Sequence, residues 1–296
     1  MDNGFVRQQI CSASSVGGGG GLIFALDALR GIAIAIVIFG HALQKIHGMA
    51  PPHPLHAVIL CFQMELFFVI AGYAASLSVG DSFKSGLAKR SKRLLLPYLV
   101  WVTISFIYGL FRGNSHFDIE SLVRYYFMHS FWFLRTMFYV SCIHMSACWI
   151  FESMVKRVGR LISGALVISA LMMLTMLGKY GLCDGLLPKY IMWFYVGFGI
   201  SQFVQLKPSS ANHSLVGKFI TYLGKESLAL YALHWWLFFK YIPIPLCPDK
   251  VPQVVYAFII FMAWLIASIG LDKLLSKTPL SVYLLGKPYI VKRRHV

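Results

Sequence analysis

Long apolar stretches separated by short polar connections make up most of this chain. A helix that crosses a bilayer needs about 20 predominantly apolar residues, and eight stretches approach that length. The pattern predicts an all-α membrane protein, a polytopic helical bundle of about eight to ten transmembrane helices. The eight predicted spans are 26–46, 56–78, 94–112, 132–151, 161–178, 188–206, 226–245 and 251–272.

The composition agrees with a membrane protein and excludes a soluble domain of this size. Hydrophobic residues make up 58% of the 296 positions and charged residues only 13%. We expect a flexible Gly/Ser-rich cytoplasmic lead over 1–25, one transmembrane domain over 26–275 and a basic cytoplasmic tail over 276–296. The first apolar segment has full length and starts late, so it does not resemble a cleaved signal peptide. We expect it to stay in the mature protein.

Lysines and arginines are concentrated in alternate connections. Eighteen of them lie before the first span and after every second span, whereas seven lie on the opposite side. Cytoplasmic connections carry this excess, so both termini are predicted to be cytoplasmic. The net charge of +16 is spread over separate connections beside anionic lipid. We therefore expect membrane lipids, and no nucleic acid, among the partners.

Neither the cysteines nor the clustered histidines indicate a metal site. The six cysteines show no paired spacing. His47, His53 and His56 occur in a Pro-rich connection, but no nearby carboxylate or cysteine completes a ligand set. We interpret this connection as a solvated loop and expect no metal.

Two polar residues interrupt the first predicted span, Arg30 and His41. Eleven helical residues turn about 20° past three full turns, so both side chains lie on one face, about 16 Å apart along the axis. Ionisable groups at membrane depth usually face a bundle interior or a wet cavity, which marks this face as a candidate site. The alternative is that Arg30 reaches the cytoplasmic surface and His41 bonds a neighbouring helix.

Glu65 is the acidic residue of the second predicted span. A buried carboxylate needs a partner or a proton, and His41 on the neighbouring antiparallel span is a reasonable partner. A histidine oriented by a carboxylate suits a general base for a hydroxyl nucleophile. The alternative is that Glu65 serves helix packing alone. Ala71-Gly72 later in this span favours close helix contact over a ligand loop.

A dense basic cluster, Lys89-Arg90-Ser-Lys-Arg93, follows in the connection between Lys84 and Pro97. Such a cluster can bind phosphates, although membrane orientation alone produces a similar pattern. Arg30 lies at the same predicted end of its helix. Together they predict an electropositive mouth for an anionic cytosolic ligand such as a phosphorylated cofactor.

Later spans add further polar candidates. Arg135 and His144 are nine residues apart and point to opposite helix faces, and we favour Arg135 as the inward one. Ser227, Tyr231 and His234 form a polar stripe on one face of the seventh span. Packing is the favoured reading of Tyr231, while His234 is open between substrate contact and packing.

These residues together resemble a known family. Leu29-Arg30-Gly31 with His41 resembles the Arg-x10-His signature of the acyltransferase 3 family of integral-membrane O-acyltransferases. The match continues with Glu65-Leu-Phe-Phe-Val-Ile-Ala-Gly-Tyr73, the basic Lys89–Pro97 segment, Trp132-Phe-Leu134 and the Ser227–His234 helix. Ala71 stands where serine is usual, Lys89 where arginine is common, and eight spans stand where about ten are typical of such bundles.

The resemblance implies transfer of an acyl group, most often acetyl, from cytosolic acetyl-CoA to a hydroxyl of a glycan or lipid-linked sugar. It also implies a multi-pass protein of the bacterial cytoplasmic (inner) membrane. We expect His41, oriented by Glu65, to act in catalysis. We expect Arg30, Lys89, Arg90 and Arg93 to bind the coenzyme A phosphates, and Arg135, Tyr231 and His234 to contact substrate.

Two other classes fit the same buried charges. A transporter or flippase would use the intramembrane His, Glu and Arg as a proton relay or substrate pathway, although no inverted repeat or broken helix supports it. A membrane scaffold would use the same charges only to fix helix pairing.

Overall fold

The structure is a computed structural model that describes residues 19–47, 54–77, 82–113, 116–128, 131–179, 186–204, 214–235 and 251–287. Every regular element within these ranges is helical, and no strand occurs in them. The predicted all-α class is therefore confirmed for the described part of the chain.

The helices follow one another with short breaks. They are α1 (Gly19–His47), α2 (Pro54–Leu60), α3 (Glu65–Ser76), α4 (Phe83–Arg90), a π-helical turn (Ser91–Leu95), α5 (Leu96–Phe111), α6 (Ile119–Val123), a second π-helical turn (Arg124–Met128), α7 (Trp132–Val158), α8 (Arg160–Lys179), α9 (Leu186–Phe203), α10 (Leu215–Lys225), α11 (Ser227–Leu233), α12 (Gln253–Leu275) and α13 (Leu280–Leu284).

Five helical segments among the described residues are long and apolar enough to cross a membrane. They are Leu22–Ile46, Pro54–Ser76, Phe83–Phe111, Trp132–Val155 and Gln253–Leu275. These match the first four predicted spans and the eighth. The fifth and sixth predicted spans form α8, with the shorter apolar stretch Leu161–Met173, and α9. The seventh continues past residue 235 into residues outside the described part, so the full helix count and the orientation stay predictions.

The described residues belong to two compact units. The first draws on 1–79 and 194–275, and the second on 80–193 and 276–296. The first unit has an apolar core in which Leu43, Ile59 and Ala257 are buried together, so α1, α2 and α12 pack on one another. The proposed boundaries of the lead, the transmembrane domain and the tail stay predictions.

Pairs of glycines bring helices of the first unit to backbone contact. A Cβ at Gly72 of α3 would lie 1.8 Å from the carbonyl oxygen of Phe194, and one at Gly197 would lie 1.9 Å from that of Val69. Only glycine permits this approach between α3 and α9. The interpretation of Ala71-Gly72 as a close helix contact is confirmed.

The basic segment of the second unit is helical, where the sequence was interpreted as a loop. The chain runs as continuous helix from α4 into α5, and the π-helical turn Ser91–Leu95 joins them. Pro97 explains the turn, because it has no N–H and its ring displaces the carbonyl of Arg93, four residues earlier. Gly286, with φ 64°, lies against this carbonyl.

Candidate active site

Two glycines set α1 and α10 side by side in the first unit. A Cβ at Gly31 would lie 1.9 Å from the carbonyl oxygen of Ile220, and a Cβ at Gly224 would lie 1.6 Å from that of Asp27. From these contacts His41 is ten residues beyond Gly31, and His234 is ten residues beyond Gly224. Ten helical residues rise about 15 Å on either chain segment. The two histidines therefore reach the same level.

The imidazoles of His41 and His234, called here the histidine pair, are in ring contact. Their centroids are 5.5 Å apart and their planes differ by 30°. The indole of Trp235 also contacts His41, with centroids 4.8 Å apart. The Nδ1 atom of His41 lies 3.1 Å from Oε1 of Gln44. The sequence proposed each histidine separately and gave no sign that they meet.

His234 is completely buried, and its hydrogen bonds are asymmetric. Its Nδ1 atom lies 2.7 Å from the carbonyl oxygen of Leu230. Its Nε2 atom is buried and has no hydrogen-bond partner among the described residues. The buried ring of Tyr231 meets His234 edge-on at 5.9 Å. The polar stripe predicted from the sequence thus faces the interior of its unit.

Glu65 is the first residue of α3 and is only 4% exposed. A carboxylate in the first turn of a helix is favoured by the free N–H groups and the helix dipole, which helps to explain a buried acid here. Gln63, two residues earlier, packs on α1, where a Cβ at Gly40 would lie 2.8 Å from its Oε1. That Glu65 orients His41 stays a prediction.

Arg30 has an acidic partner that the sequence reasoning missed. Its Nη1 donates to Oδ1 of Asp27 at 2.9 Å, and the side chains are 29% and 8% exposed respectively. The i, i+3 spacing on one helix was the available signal. Asp27 thus offsets part of the charge of Arg30, whose predicted contact with phosphate stays a prediction.

The basic cluster of the second unit presents cations to solvent. Lys89 and Arg93 are exposed and follow one another by four residues on the helix. Arg90 is half-buried, with its Nη1 3.4 Å from the carbonyl oxygen of Gly86. This arrangement suits a phosphorylated ligand, because two free cationic groups flank one that is held in place.

Arg135 and His144 are both buried in α7 of the second unit. Arg135 donates to the carbonyl oxygen of Phe127, at a helix start where Phe131 has φ 66°. His144 instead contacts the thiol of Cys148, with 3.6 Å between Nε2 and Sγ. Arg135 is inward, as favoured, and His144 finds its own contact on the same helix.

The histidine-rich connection differs from the solvated loop expected from its prolines. His56 lies in α2, which begins at Pro54, and it is buried. Proline suits the first turn of a helix, which explains why the helix starts there. His53 lies outside the described residues. Within the described ranges no group of three or more His, Cys, Asp or Glu side chains gathers as a metal site.

Comparisons with known proteins identify the family. The acyltransferase 3 family, described as an acyltransferase domain, matches residues 23–209. The chain belongs to this family. The matched part contains Arg30, His41, Glu65, the basic cluster and Arg135, while Tyr231 and His234 lie beyond it.

Two curated relatives carry the name Nodulation protein NolL. The protein from Mesorhizobium japonicum is 36% identical over 85 residues, which are 27% of this chain and 23% of the relative. The one from Sinorhizobium fredii is 29% identical over 137 residues, which are 42% of this chain and 36% of the relative. The matches thus span about a quarter and about a third of these relatives. No solved structure matches the chain significantly.

Proposed function

We propose that this protein is a membrane O-acyltransferase. It moves an acyl group, expected to be acetyl, from cytosolic acyl-CoA to a hydroxyl of a glycan or lipid-linked sugar. The observation that carries the proposal is the histidine pair, two imidazoles in contact inside a helical unit of a chain that belongs to the acyltransferase 3 family. An imidazole can take the proton of a hydroxyl or carry an acyl group.

His41 is the residue expected to act on the acyl group or the acceptor. It is half-buried, beside the fully buried His234. We assign its orientation to Glu65, and substrate contacts to Tyr231 and His234 in the first unit and to Arg135 in the second. Both direct transfer and transfer through an acyl-histidine use these residues.

The acyl donor carries phosphates, which need cations. Lys89, Arg90 and Arg93 supply them on one helical segment of the second unit, and their exposure leaves Lys89 and Arg93 accessible to a cytosolic ligand. Arg30 is a separate candidate for the donor phosphates, with part of its charge already offset by Asp27. Location in the bacterial inner membrane follows from the same proposal.

Release of the coenzyme A thiol tests the donor and the chemistry together. The protein is reconstituted in nanodiscs with an extract of lipid-linked sugars and supplied with acetyl-, propionyl- or longer acyl-CoA. Thiol release that requires both protein and extract, and is fastest with one donor, supports an acyltransferase and names its acyl group. Absence of release with every donor contradicts the proposal and favours the transporter reading.

A further inference from the structure

The hydrogen bond of His234 fixes which of its nitrogens carries the proton. A backbone carbonyl oxygen only accepts, so the 2.7 Å contact with Leu230 requires that Nδ1 carries hydrogen and donates it. In a neutral imidazole the other nitrogen is then an acceptor with a free lone pair. In His234 that atom is Nε2.

The surroundings of Nε2 leave this lone pair unused. The atom is buried and has no hydrogen-bond partner among the described residues. A buried polar atom without a partner is unfavourable by itself, so such atoms call for an explanation in a bound ligand or a catalytic role. The ring also lies against His41, which the family signature contains.

We infer that Nε2 of His234 is the general base that takes the proton of the acceptor hydroxyl. This rests on the proposed acyl transfer and divides its work, with His41 acting on the acyl group and His234 on the proton. The acceptor O–H bond breaks and its proton passes to Nε2, while the oxygen forms a bond to the acyl carbonyl carbon. The carbon–sulfur bond of acyl-CoA then breaks, and the leaving thiolate takes the proton from Nε2. An ester and free coenzyme A result.

Leu230 has the supporting role in this arrangement. Its carbonyl holds the Nδ1–H, so the ring cannot exchange its tautomer without losing a buried bond. The same carbonyl is correctly placed to stabilise the imidazolium that forms when Nε2 takes the proton. A histidine that served packing alone would need only the bond to Leu230.

Substitution by asparagine separates the two roles. His234→Asn keeps an N–H group near the position of Nδ1 and removes the acceptor at Nε2. The measurement is transfer of labelled acyl group from acyl-CoA to acceptor in membranes that contain equal amounts of each variant. We expect His234→Asn and His234→Ala to lose at least 100-fold in rate, within the usual range for a general base. Added imidazole should restore part of the activity of His234→Ala and none in His234→Asn.

The matched control is His144→Asn, which removes another buried histidine outside the proposed site and should retain wild-type transfer. If His234→Asn transfers at the wild-type rate, the base assignment is wrong while the acyltransferase proposal stands. If His234→Asn fails to accumulate, the imidazole response of His234→Ala decides, and absence of any restoration overturns the assignment. If the wild-type protein transfers no label from any donor, the proposed function fails and this inference with it.

Discussion

The imidazole of His41 stacks on that of His234, although 193 positions separate them in the chain. The contact follows from the packing of α1 on α10 and α11 at Gly31 and Gly224. Equal intervals from each glycine to its histidine then bring the rings to one level. The proposed chemistry therefore depends on helix packing about 15 Å away along the axis.

Alanine at either of these glycines should disrupt the site from a distance. Gly31→Ala or Gly224→Ala places a Cβ within 2 Å of a backbone oxygen, and such overpacking costs about 1–3 kcal/mol or more. We expect a lower melting temperature in detergent and reduced transfer. Gly270→Ala is the control, because a Cβ there meets nothing within 4 Å. Equal melting of all three variants would argue against the packing account.

Gly286 tests the contact with the π-helical turn of the second unit. A Cβ at Gly286 would lie 2.5 Å from the carbonyl oxygen of Arg93, and the backbone has φ 64°. Gly113 has φ 68° and open space around it, so Gly113→Ala isolates the backbone strain of about 1–2 kcal/mol. Gly286→Ala should lower the melting temperature further than Gly113→Ala. Identical shifts would mean that the close contact with Arg93 does not matter.

Asp27 should affect both stability and donor use through Arg30. Asp27→Asn removes the charge that faces Arg30 at 2.9 Å. Because Arg30 is partly exposed, we expect a loss of about 1 kcal/mol in stability. If Arg30 contacts the donor phosphates, its freed charge should lower the KM for acyl-CoA in the same variant. A higher KM would count against the phosphate role of Arg30.

The basic cluster should govern the KM for the acyl donor. Replacing Lys89 and Arg93 together by glutamine removes two exposed cations, and we expect the KM for acyl-CoA to rise about tenfold with kcat nearly unchanged. Lys218→Gln, an exposed cation of α10, controls for loss of charge and should leave the KM as it is. A cluster that only sets membrane orientation would change protein insertion and not the KM.

Much of the fold was visible in the sequence because its signals are local. Apolar length predicted the first four spans and the eighth, and the Ala71-Gly72 pair predicted a close contact that the structure confirms. The helical course of the basic segment was missed, although Pro97 was a signal for the irregular turn. The helix start at Pro54, which buries His56, was also taken for a loop.

The candidate site was only partly predictable. Arg30, His41, Glu65 and His234 could be proposed because each interrupts an apolar stretch. The meeting of His41 and His234 could not, because nothing local says which of the 25 glycines bring two distant helices into contact. The tautomer of His234 depends on the carbonyl of Leu230, a backbone group whose position only the structure gives.

The most direct test of the account is the dependence of acyl transfer on His41. Membranes that contain the wild-type protein or His41→Ala in equal amount are supplied with acetyl-CoA labelled in the acetyl group, and ester-linked label in glycan and lipid is counted. The account predicts label in a glycan or glycolipid fraction that mild alkali releases, with a loss of about 100-fold or more in His41→Ala. Equal label in both membranes would contradict it.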